Sequence, residues 1–376
     1  LLLLATTSTS RPQVRAACPQ RRAMHELVTL ASAALLRAAP LRCRVMSTFS
    51  TGGGSCAAAS ADVRRLADGT YFNSKLGALN VFEIDVDESI IDEAADIFYG
   101  RDASSSSDGD GGGEGDHSPF AGVGDSAEPY TEVATPAGNF FTQRVSGWRS
   151  NIAWVSVDDE HSFQRFEALF ERLELPQRFS SVIPHLSSPR LFSAFYVCRS
   201  WCEAHSFHTD YMRPVGLHAL TLITPLRDYQ ETDSFQLTYK PAVASGAPQS
   251  DGYAAHGSED ATEGRTAPPA LQRYAYKKGK AIVFGSRFEH STEPGVGDEG
   301  EVHAYLCFTF GTDDQSKWAD IAQTLDTQSR IVQHPDGELR LSALGRAIEA
   351  ALRDLQRGSG GGGAEHLSSV DAHVKR

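Results

Sequence analysis

The sequence predicts a mainly β domain with flanking helices, and three observations carry that reading. Between Phe192 and Gly311, short apolar runs alternate with turn residues, the pattern of strands joined by loops. Helical periodicity appears only outside that run. Elsewhere the chain is rich in small and polar residues: 33 glycines in 376 residues suggest linkers and inserts around one domain rather than a second fold.

Residues 1–50 hold seven Arg, no Lys and a single acid, Glu26, among Ala, Ser, Thr and Leu. That is transit-peptide composition. Residues 1–60 are therefore expected to be a transit peptide and linker addressing a plastid or mitochondrion. Translation from Met46 would remove the signal and leave a cytoplasmic protein. The domain is expected over 61–356. Leu79–Val86 reads as a strand. Asp87–Tyr99 reads as a helix capped by Asp87, with Ile90, Ile91, Ala94, Ile97 and Phe98 on its apolar face. The Gly/Ser/Asp stretch 102–128 cannot bury enough apolar surface to offset its ordering entropy and reads as a disordered insert.

Strand-like pieces follow at Phe140–Gln143 and Ile152–Val157. Asp158–Leu173 then shows Phe163, Phe166, Leu169, Phe170 and Leu173 at helical spacing, a core-facing stripe. Strands are expected near Phe192–Trp201, Leu217–Pro225, Phe235–Tyr239, Ala281–Phe284 and Val302–Gly311. A second low-complexity insert occupies 241–270. Helices at Asp314–Leu325 and Leu341–Leu355 and a flexible tail, 357–376, complete the chain.

A net charge of −13 argues against nucleic acid or an anionic membrane as the main partner. No apolar stretch is long enough to span a bilayer. The six cysteines include no CxxC pair; Cys198 and Cys307 read as buried strand residues, which suits a reducing compartment.

One motif carries chemistry. His208-Thr209-Asp210 is followed about eighty residues later by His290, in a segment that leaves the Ala281–Phe284 strand. Residues two apart on a strand share a face, so His208 and Asp210 can aim at one point. Two imidazoles and one carboxylate are the donor set of a non-haem Fe(II) site with open positions. With these motifs, the run Phe192–Gly311 resembles the 2-oxoglutarate- and Fe(II)-dependent dioxygenase superfamily over about the central third of the chain. The resemblance implies a double-stranded β-helix (a cupin-like jelly roll) at about 190–313, with supporting helices. It also implies a metal triad of His208, Asp210 and His290, with Fe(II), 2-oxoglutarate and O₂ as cofactor and co-substrates. The implied reaction hydroxylates an acceptor, a small molecule or a protein side chain, with release of succinate and CO₂.

The chain departs from the superfamily in one respect. The resemblance implies an Arg at the start of the last strand to hold the distal carboxylate of 2-oxoglutarate, because a dicarboxylate in a partly dry pocket needs a fixed cation. Ser291–Tyr305 contains neither Arg nor Lys, and His303 is the basic residue there. We therefore expect a basic or phenolic group from another strand with His303 nearby, and assign His303 and Tyr196 to the co-substrate. Arg199, Lys240, Lys280, Arg287 and Tyr239 are the other sources. A cupin-like metal enzyme that does not use 2-oxoglutarate, and a non-catalytic metal-binding relative, stay open.

Overall fold

The computed structural model describes residues 62–101, 118–120, 130–145, 149–179, 182–229, 234–242, 270–297 and 301–359. The segment 1–60, expected to be a transit peptide and linker, lies outside these residues, as do most of the two expected inserts at 102–128 and 241–270 and the tail beyond Ser359. Eleven strands build the site. In chain order they are Val81–Asp85 (β1), Tyr130–Thr135 (β2), Gly138–Arg144 (β3), Ala153–Val157 (β4), Arg190–Arg199 (β5), Ala219–Pro225 (β6), Leu237–Tyr239 (β7), Gln272–Tyr274 (β8), Lys280–Phe284 (β9), His290–Thr292 (β10) and His303–Gly311 (β11). Eight of them form one antiparallel sheet in the order β1-β9-β6-β11-β5-β4-β3-β2, and three form a smaller sheet, β8-β7-β10.

Strand β5 is buried from Leu191 onward, because both faces of the main sheet are covered. One face meets helices Glu88–Tyr99 (α1) and Glu160–Glu171 (α2). There Tyr196 of β5 packs its ring 5.0 Å from Phe98 and 5.5 Å from Phe166. Alternate residues of β5, Phe195, Val197 and Arg199, turn to the other face and line a cavity, the period-two consequence of an extended backbone.

The helix signals locate most ends. Asp87 caps α1 by accepting from the Ser89 N–H at 2.8 Å, and Gly100, at φ 69°, ends it in the left-handed conformation. Helix α2 starts two residues later than expected, at Glu160 rather than Asp158. Asp159 is the cap: its Oδ1 accepts from the Ser162 N–H at 2.7 Å and its Oδ2 from the Asn139 N–H at 2.8 Å. Asp158 is buried instead and accepts from Arg330 Nε at 2.8 Å. The second Asp159 contact pins the helix to the turn between β2 and β3. At that turn Gly138 sits at φ 111°, and a Cβ would lie 2.7 Å from Asp159 Oδ1. Asp159→Ala removes both contacts and is expected to cost about 2 kcal/mol, read as a drop of several degrees in thermal midpoint with the metal site intact.

The sheet is wider than the expected 190–313 core, because β1 and β2–β4 pair onto its two edges. Two small elements were not legible. Val63–Arg65, Tyr71–Asn73 and Ala78–Leu79 form a three-stranded sheet, and Ile331–Gln333 pairs with Leu339–Leu341. Leu341 therefore closes a hairpin, and the last helix begins at Ala343. The helix expected from Asp314 opens as a 3₁₀ turn, Gln315–Lys317, and becomes α-helical over Trp318–Leu325. The described residues all fall within one unit, Gly52–Arg376. Among them no helix is long and apolar enough to cross a membrane.

Candidate metal centre and its cavity

His208 lies in a loop, yet its backbone is held as strictly as a strand. Its N–H donates to the His290 carbonyl and the His290 N–H donates back, each at 2.9 Å. This single antiparallel bridge joins the His-x-Asp segment to β10. Ring centroids of the two histidines are 4.5 Å apart. Asp210 Oδ1 lies 3.5 Å from His208 Nε2 and 3.6 Å from His290 Nε2. One ligand atom from each of the three residues falls within 4.8 Å of the others, and no second such group of His, Cys, Asp and Glu occurs among the described residues.

The remaining atoms of the triad are committed elsewhere. His208 Nδ1 is 2.9 Å from the Ser206 carbonyl, and His290 Nδ1 is 3.1 Å from the Phe288 carbonyl. A carbonyl only accepts, so each Nδ1 carries a proton and each Nε2 is the ring nitrogen left to face Asp210 and a metal. Asp210 Oδ2 accepts from Thr221 Oγ1 at 2.8 Å, which leaves Oδ1 facing the histidines. The Thr324 hydroxyl donates to the Asp210 carbonyl at 2.7 Å and ties the segment to the Trp318–Leu325 helix. Outer partners of this kind fix ligand orientation before any metal arrives.

Burial disfavours charge at all three ligands, and local partners decide the outcome. At His290 burial wins and pushes the imidazole down to about 4. At His208 burial is outweighed by the hydrogen bond to Asp210 and its charge, and the ring is drawn above its ordinary value. Burial alone would raise Asp210. The His208 hydrogen bond, the two neighbouring imidazoles and the Thr221 hydroxyl overcome it and hold the carboxyl below its ordinary value.

The triad forms part of the wall of a cavity between the main sheet and the smaller one. Its apolar lining includes Phe195, Val197, Ile223, Phe235, Leu237 and Cys307. The polar lining beyond the triad is sparse: Arg199, Thr221, Tyr276, Thr292, Tyr305 and Gln328. Arg199 is 8% exposed; its Nη1 donates to Thr292 Oγ1, and its Nε has no partner. Among the described residues no carboxylate pairs with it. Gln328 is equally buried, and its Oε1 is without a partner there.

The two residues assigned to the co-substrate lie elsewhere. Tyr196 points to the helix-covered face, where its hydroxyl donates to the Ala94 carbonyl at 2.7 Å. It does not reach the cavity, because it is one position out of phase with Phe195 and Val197. His303 is on the correct face but behind the lining. It stacks on Tyr229 at 3.9 Å with 12° between the rings, and burial, aided by the charges of Arg227 and Arg199, pushes it down to about 4. It is therefore a neutral aromatic wall rather than a cation. Arg199 is its direct cross-strand partner, so the guanidinium occupies the place where a cation was sought, supplied from β5 instead of β11. Lys240, Lys280 and Arg287 pair with Glu289, Asp85 and Asp68 outside the cavity, and the Tyr239 hydroxyl donates to the Leu76 carbonyl at 2.9 Å.

Sequence reasoning missed Thr221, Thr292, Phe235 and Gln328. Thr221 gave a faint signal, a hydroxyl inside the apolar run Ala219–Pro225; Gln328 gave none.

No protein-family model and no curated protein matches the sequence. Similar folds occur among solved structures. A prolyl-4-hydroxylase of Pseudomonas putida is 12% identical over 62% of this chain and 92% of its own, with a TM-score of 0.33. HygX from Streptomyces hygroscopicus, with nickel and 2-oxoglutarate bound, is 11% identical over 64% and 85%, with a TM-score of 0.35. EvdO2 from Micromonospora carbonacea var. aurantiaca, complexed with 2-oxoglutarate, is 14% identical over 62% and 86%, also at 0.35. These neighbours are structures of the 2-oxoglutarate/Fe(II) oxygenase family, the one the sequence motif resembles.

Proposed function

We propose that this chain is an Fe(II)- and 2-oxoglutarate-dependent oxygenase built on a double-stranded β-helix core, acting on an acceptor that is a small molecule or a protein side chain. One observation carries the reading: three convergent metal donors and a buried guanidinium, without a carboxylate partner among the described residues, face the same largely apolar cavity. The donor set fits Fe(II), with two neutral nitrogens and one carboxylate oxygen presented together while their other atoms are held by Ser206, Phe288 and Thr221. The orphan Nε of Arg199 fits the distal carboxylate of an oxo diacid.

In this reading His208, Asp210 and His290 hold the iron. Bound iron supplies O₂ activation, coupled to decarboxylation of 2-oxoglutarate to succinate and CO₂ and to oxidation of the acceptor. Arg199 binds the distal carboxylate, steadied by Thr292. Phe195, Val197, Ile223 and Cys307 exclude water between the two ends, which strengthens the charge pairing at Arg199. Thr221 keeps Asp210 oriented. Burial pushes the Cys307 thiol well above its ordinary value, so it remains a neutral wall and not a competing thiolate ligand.

Anaerobic titration of the Fe(II)-loaded protein with 2-oxoglutarate tests the proposal. We expect a saturable visible charge-transfer band at one equivalent per iron. Iron binding without such a band would move the protein to the cupin-like enzymes that do not use 2-oxoglutarate.

A further inference from the structure

Phe235 is the one residue of the cavity wall held in an unfavourable backbone conformation. Its φ is 62°, in the left-handed region that a bulky side chain occupies only when its surroundings impose it. Here the surroundings are visible. The Phe235 N–H donates to the Glu293 carbonyl at 3.2 Å, and its own carbonyl accepts the Tyr305 hydroxyl at 3.3 Å. Its ring meets His303 edge-to-face at 4.8 Å. Glycine would take this backbone at no steric cost, so the ring is retained for what it does in the cavity.

That ring is 1% exposed and shares the cavity lining with Arg199. His303, against which it packs, is the cross-strand partner of Arg199 and is backed by Tyr229. Tyr229 stacks on His303, and Phe235 meets His303 edge-on, so the three rings back the Arg199 end of the wall. A group that pairs with Arg199 has the Phe235 ring in the same cavity lining.

We propose that Phe235 sets the upper chain length of the oxo diacid that the cavity accepts. The inference rests on the co-substrate reading above. A five-carbon diacid is accommodated between the metal donors and Arg199; the added methylene of 2-oxoadipate is driven against the Phe235 ring. Truncating the ring opens space bounded by His303, whose Nδ1 has no partner among the described residues.

The test compares 2-oxoglutarate with 2-oxoadipate, titrated anaerobically into Fe(II)-loaded wild type, Phe235→Leu and Phe235→Ala and followed by the visible chelate band. Wild type is expected to prefer 2-oxoglutarate by roughly tenfold or more, the usual worth of one misplaced methylene. Both variants should narrow that preference, alanine more than leucine, chiefly by tighter 2-oxoadipate binding. A retained band with 2-oxoglutarate shows that each variant is folded and metal-loaded. An unchanged ratio in both variants, or equal binding of the two acids by wild type, overturns the proposal. Loss of both acids from both variants with iron retained also overturns it, because Phe235 would then be holding Arg199 in place. Absence of the band with either acid on iron-loaded wild type sinks the co-substrate reading and this inference with it.

Discussion

Replacing Arg199 with leucine should weaken 2-oxoglutarate binding by roughly a hundredfold or more and leave iron content unchanged. Hydrogen bonds to a charged group are worth about 1.5–3 kcal/mol each, and a guanidinium can give a carboxylate two of them. The unliganded protein should respond in the opposite sense. A buried cation without a counter-charge is costly, and an apolar leucine, although shorter, removes that cost. The thermal midpoint of the Arg199→Leu apoprotein should therefore equal or exceed that of wild type. This pairing, affinity lost while stability holds or rises, is not what a merely structural arginine gives. Calorimetric titration beside thermal unfolding reads both quantities. Undiminished 2-oxoglutarate affinity in the variant would remove Arg199 from the site.

Asp210→Ala should empty the metal centre. Asp210 is the sole anion of the donor set, and in a dry site its charge supplies most of the attraction for a divalent cation. Under conditions where wild type keeps one iron per chain through desalting, the variant should keep less than about a tenth. Asp210→Asn should fall between, since it can hold Thr221 but lacks the charge. Colorimetric iron determination decides the matter, and stoichiometric iron in the alanine variant would dissolve the triad assignment.

How far the sequence could be read depended on whether the signal was local. Strands β5, β6, β9 and β11 were legible because each is a run of apolar residues with turn residues at its ends. His208 and Asp210 were legible because they stand two residues apart in one local motif, although the segment is a loop held by a single bridge and not the strand end the spacing suggested. Tyr196 was misassigned for a physical reason. With both faces of β5 buried, no polar alternation distinguishes cavity-facing from helix-facing positions. Arg199 could be named but not chosen, because its pairing with His303 is a fact of register between two strands far apart in sequence. The start of α2 was placed too early because Asp158 and Asp159 are adjacent acids, and only the contact with Asn139 separates their roles.

The backbone bridge between His208 and His290 means that the spacing of two metal ligands is set by the protein itself. The intervening chain, which carries β6 to β9, has its two ends clamped by that bridge. Within it, the excursion from Tyr239 to Gln272 leaves and re-enters the smaller sheet at positions already paired to each other. Closing a longer connection between two paired positions costs about 0.6 kcal/mol for each doubling of its length, a cost borne by the connection and not by the bridge. A change in the number of residues between Tyr239 and Gln272 therefore need not alter the spacing of His208 and His290.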